Sequence, residues 1–372
     1  MKICPQALAK RPPQPPAPLQ APRGPGRPAR WHRRQGGVSL IEVLISLVLG
    51  LVLIGAVSTA YLANSQTFRQ VENLARVNEN ARTTFELLGR ELREVGGTQC
   101  GARLPTANVL RSGPTSPWWT DWGQGLHGYE GTEPMSARAF GSGTADRVSG
   151  TDAVVIWSGS TLAPVSIESH NPPSAVLHVN TNDHGLNDGD IVIACDQRQA
   201  AIFQVTNANP GTNSTIVHNT GQGQRIQPGN CRKELGLSPA APHDCSTAGS
   251  NHSFAAGGFL SRLSVTAWYI GHNGRGGTSL YRMVLGNTSG TAGTSPEEVI
   301  ENVVDWQLHY LEPSAGGALP GSYVDATLVT DWSRVQAVRL APTFVTAEAV
   351  GTDGNPINRT LPFVVGIRTR LP

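Results

Sequence analysis

The residues able to do chemistry are few, and the first is an acid in an unusual place. Glu42 heads the stretch GGVSLIEVLISLVLGLVLIGAVSTAY, which carries no charge from Val43 to Phe68. An ionised carboxylate near the end of a membrane-length segment costs on the order of 2.5–3.5 kcal/mol on insertion scales, and such groups usually serve a function. Glu42 therefore calls for a partner of opposite charge. The second set is sulfur. Of five cysteines, Cys4 lies in the basic N-terminal segment, leaving Cys100, Cys195, Cys231 and Cys245. An even number in an exported domain favours disulfides. Three pairings are open. The expected one joins Cys100 with Cys195, tying a helix end to a strand, and Cys231 with Cys245, closing a small loop. Zinc held by Cys231, His243, Cys245 and His252 is the alternative, but no CxxC pair is present.

The other constellations are weaker. Asn182, Asp183, Asn187, Asp188 and Asp190 have the composition of a calcium loop without the EF-hand spacing or its terminal Glu. A hairpin turn accounts for Asn187-Asp188-Gly189 more simply. Trp118, Trp119 and Trp122 could form a platform for a sugar or a partner, although large aromatics in a loop more often anchor it by burial. There is no HExxH, no GxSxG, no P-loop and no GxGxxG opening a helix. The expectation is a non-catalytic protein without a cofactor or a resident metal.

These groups must be positioned by a small number of elements. The apolar run exceeds the roughly 20 residues needed to cross a bilayer, and the segment before it is basic and rich in proline (RPPQPPAPLQAPRGPGRPAR). That segment has almost nothing apolar to bury and cannot fold. Its lysines and arginines hold their side of the membrane cytoplasmic and place the chain beyond Tyr61 outside. Of the 372 residues, 29 are basic and 27 acidic; eight of the basic ones and none of the acids lie in residues 1–37. A chain beginning at Val38 thus keeps 21 basic against 27 acidic residues, a net charge of about −6, which argues against nucleic acid as a direct partner.

Beyond the apolar run the helical pattern continues. Val71, Leu74, Ala81, Phe85, Leu88, Leu92 and Val95 recur at three and four spacing with Asn78 in the polar slot, predicting one apolar seam. Glu72/Arg76, Glu86/Arg90 and Arg90/Glu94 lie at i,i+4 on the opposite face. The pattern predicts a single helix over 39–95, stopped by Gly96 and Gly97.

Gly37-Val38-Ser39-Leu40-Ile41-Glu42 resembles the processing site of type IV prepilins. The resemblance implies cleavage between Gly37 and Val38 by a prepilin peptidase and methylation of the new amino terminus on Val38. In that pattern the first mature residue is usually Phe or Met, where this chain has Val. Glu42 falls at the fifth mature position, where it would pair with the charged amino terminus of a neighbouring subunit and set the register. Residues 77–82 (VNENAR), 87–93 (LLGRELR), Cys100-Gly101, 186–195 (LNDGDIVIAC), 201–206 (AIFQVT), 301–311 (ENVVDWQLHYL) and 332–340 (WSRVQAVRL) resemble the PilW family of type IV pilus assembly proteins.

The remainder reads as short strands at 152–157, 175–179, 190–194, 201–206, 264–270, 279–285, 306–311, 335–340 and 361–367, with glycine-rich surface loops near Gly141, Gly211, Gly249, Gly290 and Gly316. The expected fold is α+β and pilin-like: a leader over 1–37 that is removed, a helix over 38–97 with its membrane span at about 43–65, and an antiparallel β-rich globular domain over 98–372. The PilW resemblance implies a minor pilin in the assembly, priming or tip complex of a type IV pilus, serving motility, adhesion or DNA uptake. It would sit in the inner membrane in a single pass and then in the fibre. Its partners would be other minor pilins, the major pilin and the inner-membrane assembly platform. The alternatives are a minor pseudopilin of type II secretion and a membrane-anchored carbohydrate-binding adhesin.

Overall fold

The computed structural model describes residues 37–102, 104–111, 117–120, 122, 125–160, 164–221, 225–238 and 249–371. The chain divides into two compact units, Met1–Leu62 and Ala63–Pro372, and one helix, Leu40–Arg93, passes from the first into the second. In the first unit the helix is apolar on every side and none of its apolar window is buried. Leu40, Leu49, Val52 and Ile54 are each more than 60% exposed, a surface that water does not tolerate over such an area.

In the second unit the helix is amphipathic, and its buried face carries Asn73, Val77, Thr84, Leu88, Gly89 and Leu92. The predicted seam is correct at its C-terminal end and rotated at its start, since Val71 is exposed and Asn73 with Val77 takes the inner position. Asn73 can be buried because its polar atoms are satisfied: Nδ2 donates to Arg69 O (2.9 Å) and Oδ1 accepts from Glu348 N–H (3.3 Å). On the outer face Arg76 pairs with Glu72, whereas Glu86 turns back to Arg82 rather than forward to Arg90 (each 2.8 Å). Gly96, with φ +64°, ends the helix by entering the left-handed region that costs glycine little, and its N–H donates to Trp157 O (2.8 Å).

The strand Phe259–His272 is the centre of a twelve-stranded sheet. Its first residues pair with Ile191–Cys195 and with the start of Val165–Asn171; the rest pairs with Ala153–Gly159 and Thr278–Thr288, all antiparallel. The Asn273–Gly277 turn returns the chain into Thr278–Thr288. A separate four-stranded sheet is made from Val303–Leu311, Ala337–Val345, Asn358–Thr360 and Phe363–Gly366. One short pairing is parallel, Thr106–Asn108 against Ala200–Gln204.

These runs are strands that alternate little in polarity because they are buried on both faces. In Ala153–Gly159, Val154 and Ile156 join Leu88 and Leu92 of the helix in one core, while Ala153, Val155 and Trp157 point into a second. Ile191 and Ile193 share that second core, and Val192 and Ala194 face a third with Phe203 and Leu260. Trp306, Leu308, Tyr310, Val338 and Leu340 bring the smaller sheet onto the core that holds the helix. Each buried Val, Leu, Ile or Phe among these contributes about 1.5–3 kcal/mol by leaving water.

Candidate functional site

The helix begins one residue after Ser39, whose carbonyl accepts the N–H groups of Glu42 (3.0 Å) and Val43 (3.1 Å). The Gly37–Val38 peptide therefore lies outside helical hydrogen bonding, with Val38 69% exposed and nothing within 4 Å of a Cβ placed on Gly37. Glu42 occupies the first turn, where a negative charge complements the helix dipole. Its side chain is exposed and has no partner among the described residues. Ser46 Oγ donates to the Glu42 carbonyl (2.7 Å), leaving the carboxylate outward. Gly50 and Gly55 likewise have open space at the Cβ position, so close approach of another helix is sterically free there.

The second half of the helix is fixed by a group that periodicity did not single out. Glu91 is 14% exposed and accepts from Thr266 Oγ1 (2.7 Å), Trp268 Nε1 (2.6 Å) and Arg282 Nη1 (3.2 Å). Arg282 also reaches Glu297 (2.8 Å) and lies over the Trp268 ring. One carboxylate thus ties the helix to two strands of the large sheet. Phe85 meets Phe363 edge-on at 5.1 Å, and Thr369 Oγ1 donates to Val95 O (2.6 Å), tying the helix to the smaller sheet and the C-terminal segment. The exposed pair Arg69–Glu348 (2.6 Å) adds little.

Cys100 and Cys195 form a disulfide, so the segment after the helix is bonded to the strand Ile191–Cys195. The expected partner of Cys231, Cys245, lies outside the described residues, as does His243 of the zinc alternative; among the described residues no three metal-ligating side chains gather. His252 is instead paired with Asp196 (2.8 Å). Two carboxylates of the suspected calcium loop, Asp188 and Asp190, are taken by donors. Asp188 accepts from Ala208 N–H (2.7 Å) and Arg225 (3.1 Å), and Asp190 accepts from Asn187 N–H (3.0 Å), Arg262 (3.0 Å) and Asn287 (2.7 Å). Trp119 is buried and Trp118 packs edge-on against Trp157 at 6.4 Å, so the tryptophan loop is anchored inward.

Two further buried groups were not singled out by sequence. His170 and His218 face each other with Nε2 atoms 3.0 Å apart. Because His170 Nδ1 accepts the Phe254 N–H (3.2 Å), its proton is on Nε2 and is donated to His218. Burial lowers both, to about 4 and about 3. Asp152, holding the Leu308 N–H (2.7 Å), is raised by burial to about 7. The signs oppose each other. Unfolding below pH 6.5 lets each histidine take up a proton, so their contribution is complete above that pH and is lost on acidification. Unfolding above pH 4 lets Asp152 release one, so its contribution declines toward pH 7. Between pH 4.5 and 6 two uptakes outweigh one release, so these three groups together raise stability by about 1.4 kcal/mol per pH unit. Asp152→Asn should steepen the slope measured by urea unfolding across this range by about 1.4 kcal/mol per pH unit; an unchanged slope would contradict the assignment.

A family described as "Prokaryotic N-terminal methylation motif" matches residues 32–58, from the end of the basic segment through half the apolar run. No curated protein and no solved structure matches the chain. The apolar helix and this motif fit a single-pass inner-membrane anchor. The methylation motif implies processing by prepilin peptidase and assembly with other pilins, and, carried by a long helix that runs into an antiparallel-rich α+β unit, it supports a type IV pilin-like or pseudopilin protein.

Proposed function

We propose that the chain is a minor pilin of the PilW type, a non-catalytic subunit of the complex that primes or caps a type IV pilus. The observation that carries this proposal is the methylation motif at 32–58, set on a helix whose first half exposes apolar side chains in all directions. Prepilin peptidase cuts between Gly37 and Val38, Val38 becomes the methylated amino terminus, and the chain waits in the inner membrane with its β-rich unit outside. On extraction the apolar half packs among the helices of other minor pilins and the major pilin, guided by the inner-membrane assembly platform. In that apolar bundle the exposed Glu42 meets the amino terminus of a neighbour.

A pseudopilin of type II secretion would share every one of these steps, and the distinction lies in the phenotype. Deleting the protein from its native host is expected to remove most surface pili, counted by electron microscopy of sheared fibres, while secretion of exoproteins continues. Normal piliation with impaired secretion would reverse the assignment.

A further inference from the structure

We propose that the second unit carries a binding site for an acidic saccharide, in a cleft far along the chain from the processing motif. The cleft has a volume of about 870 Å³ and is formed by the turn at 187–190, the turn carrying Asn209 and Thr212, and the hairpin end at 287–290. Ligand sites typically span a few hundred to about 1,000 Å³.

The polar atoms of the cleft decide which ligands it can take. The acceptors are spent. Asp190 is 7% exposed and its two oxygens hold Asn187 N–H, Arg262 and Asn287, while Asp188 holds Ala208 N–H and Arg225. A cation therefore finds no free carboxylate. The donors are in excess. The Arg225 side chain is 82% exposed and among the described residues touches only Asp188, leaving most of its five N–H donors unused. Arg262, 51% exposed, uses Nε on Asp190 and Nη2 on the Gly185 carbonyl, and among the described residues its Nη1 has no partner. Two guanidinium groups anchored by carboxylates on one side and open on the other suit a planar oxyanion, which they can bind in a forked geometry.

The rest of the lining narrows the class. Among the described residues no aromatic ring lines the cleft, so it offers no face for an aromatic ligand to stack on, and Asn209, Thr212 and Ser289 supply amide and hydroxyl groups beside the aliphatic Ile191, Leu263 and Leu285. A ligand rich in hydroxyls and bearing a carboxylate meets all of these at once. The walls are preformed. A Cβ on Gly189 (φ +90°) would collide with the Gly290 backbone, one on Gly290 (φ +95°) would collide with the Arg225 carbonyl, and Asn287 Nδ2 donates to the Asp188 carbonyl (2.8 Å). Little ordering cost then remains for the ligand to meet.

The test uses the full chain in detergent and isothermal titration with an oligogalacturonate, its neutral methyl ester, and a poly-glutamate peptide of equal charge. Saturable binding of the oligogalacturonate is expected, at least ten-fold weaker for the methyl ester and for poly-glutamate. Arg225→Gln should weaken it at least ten-fold with an unchanged melting temperature, because the side chain is exposed. The proposal is overturned by no binding of the uronate, by equal binding of the ester or the peptide, or by an Arg225→Gln protein that binds as the natural one does. None of these results bears on the assembly role, which depends on residues before Leu62.

Discussion

Glu42→Ala is expected to leave the protein cleaved and membrane-bound while removing it from the assembled complex. In isolation the carboxylate is exposed, makes no ion pair among the described residues and supports only the first helical turn, so its loss costs the folded subunit little. The cost appears in an assembly. There the carboxylate and the neighbour's amino terminus would both lie in an apolar bundle, and removing one partner of a buried pair is worth about 3–5 kcal/mol. Since each 1.4 kcal/mol is tenfold, incorporation should fall by roughly 100-fold or more. The measurement is the amount of the protein in sheared fibres or crosslinked to other pilins, relative to its membrane level. Equal incorporation of the Ala variant would remove the electrostatic part of the account. Glu42→Asp, one methylene shorter, should fall between the two.

Glu91→Ala is the second large effect, and it acts on the folded unit instead. Removing this side chain leaves Trp268 Nε1 and Thr266 Oγ1 without their acceptor and Arg282 with only the half-exposed Glu297. An unsatisfied buried donor costs about 1–3 kcal/mol, so a loss on the order of 3–5 kcal/mol is expected. Glu91→Gln keeps an acceptor oxygen and should lose about half as much. Urea unfolding of the full chain in detergent reads both. If the Ala variant unfolds at the wild-type midpoint, Glu91 is not the link between helix and sheet.

The contrast between these two acids explains what was legible in the sequence. Glu42 stood out because its surroundings in the chain are its surroundings in space: an acid in an uncharged run is anomalous at a glance. Glu91 did not, because it sits at an ordinary position in an ordinary charged helix turn, and its partners Thr266, Trp268 and Arg282 are contributed from about 175 to 190 residues away. The same holds for Asn73. Periodicity preferred Val71 for the seam, and only the long-range bond to Glu348 N–H makes an asparagine the inward residue.

The strands divide along similar lines. Runs with strong apolar content, such as Ala153–Gly159 and Ile191–Cys195, were placed to within a residue or two. Thr291–Glu301 was missed because an edge strand reading TAGTSPEEVIE has a proline, glycine and three acids, composition that blunts an edge against unwanted pairing but hides the strand. Gly290, expected at the surface, is buried against Gly189. The Cys100–Cys195 pairing was expected and is found.

The most direct test is the amino terminus of the protein recovered from the membranes of its native host. Intact-mass and terminal sequencing should find a chain that starts at Val38 and carries one added methyl group. A chain that starts at Met1, or at any residue beyond Glu42, would contradict the account at its root.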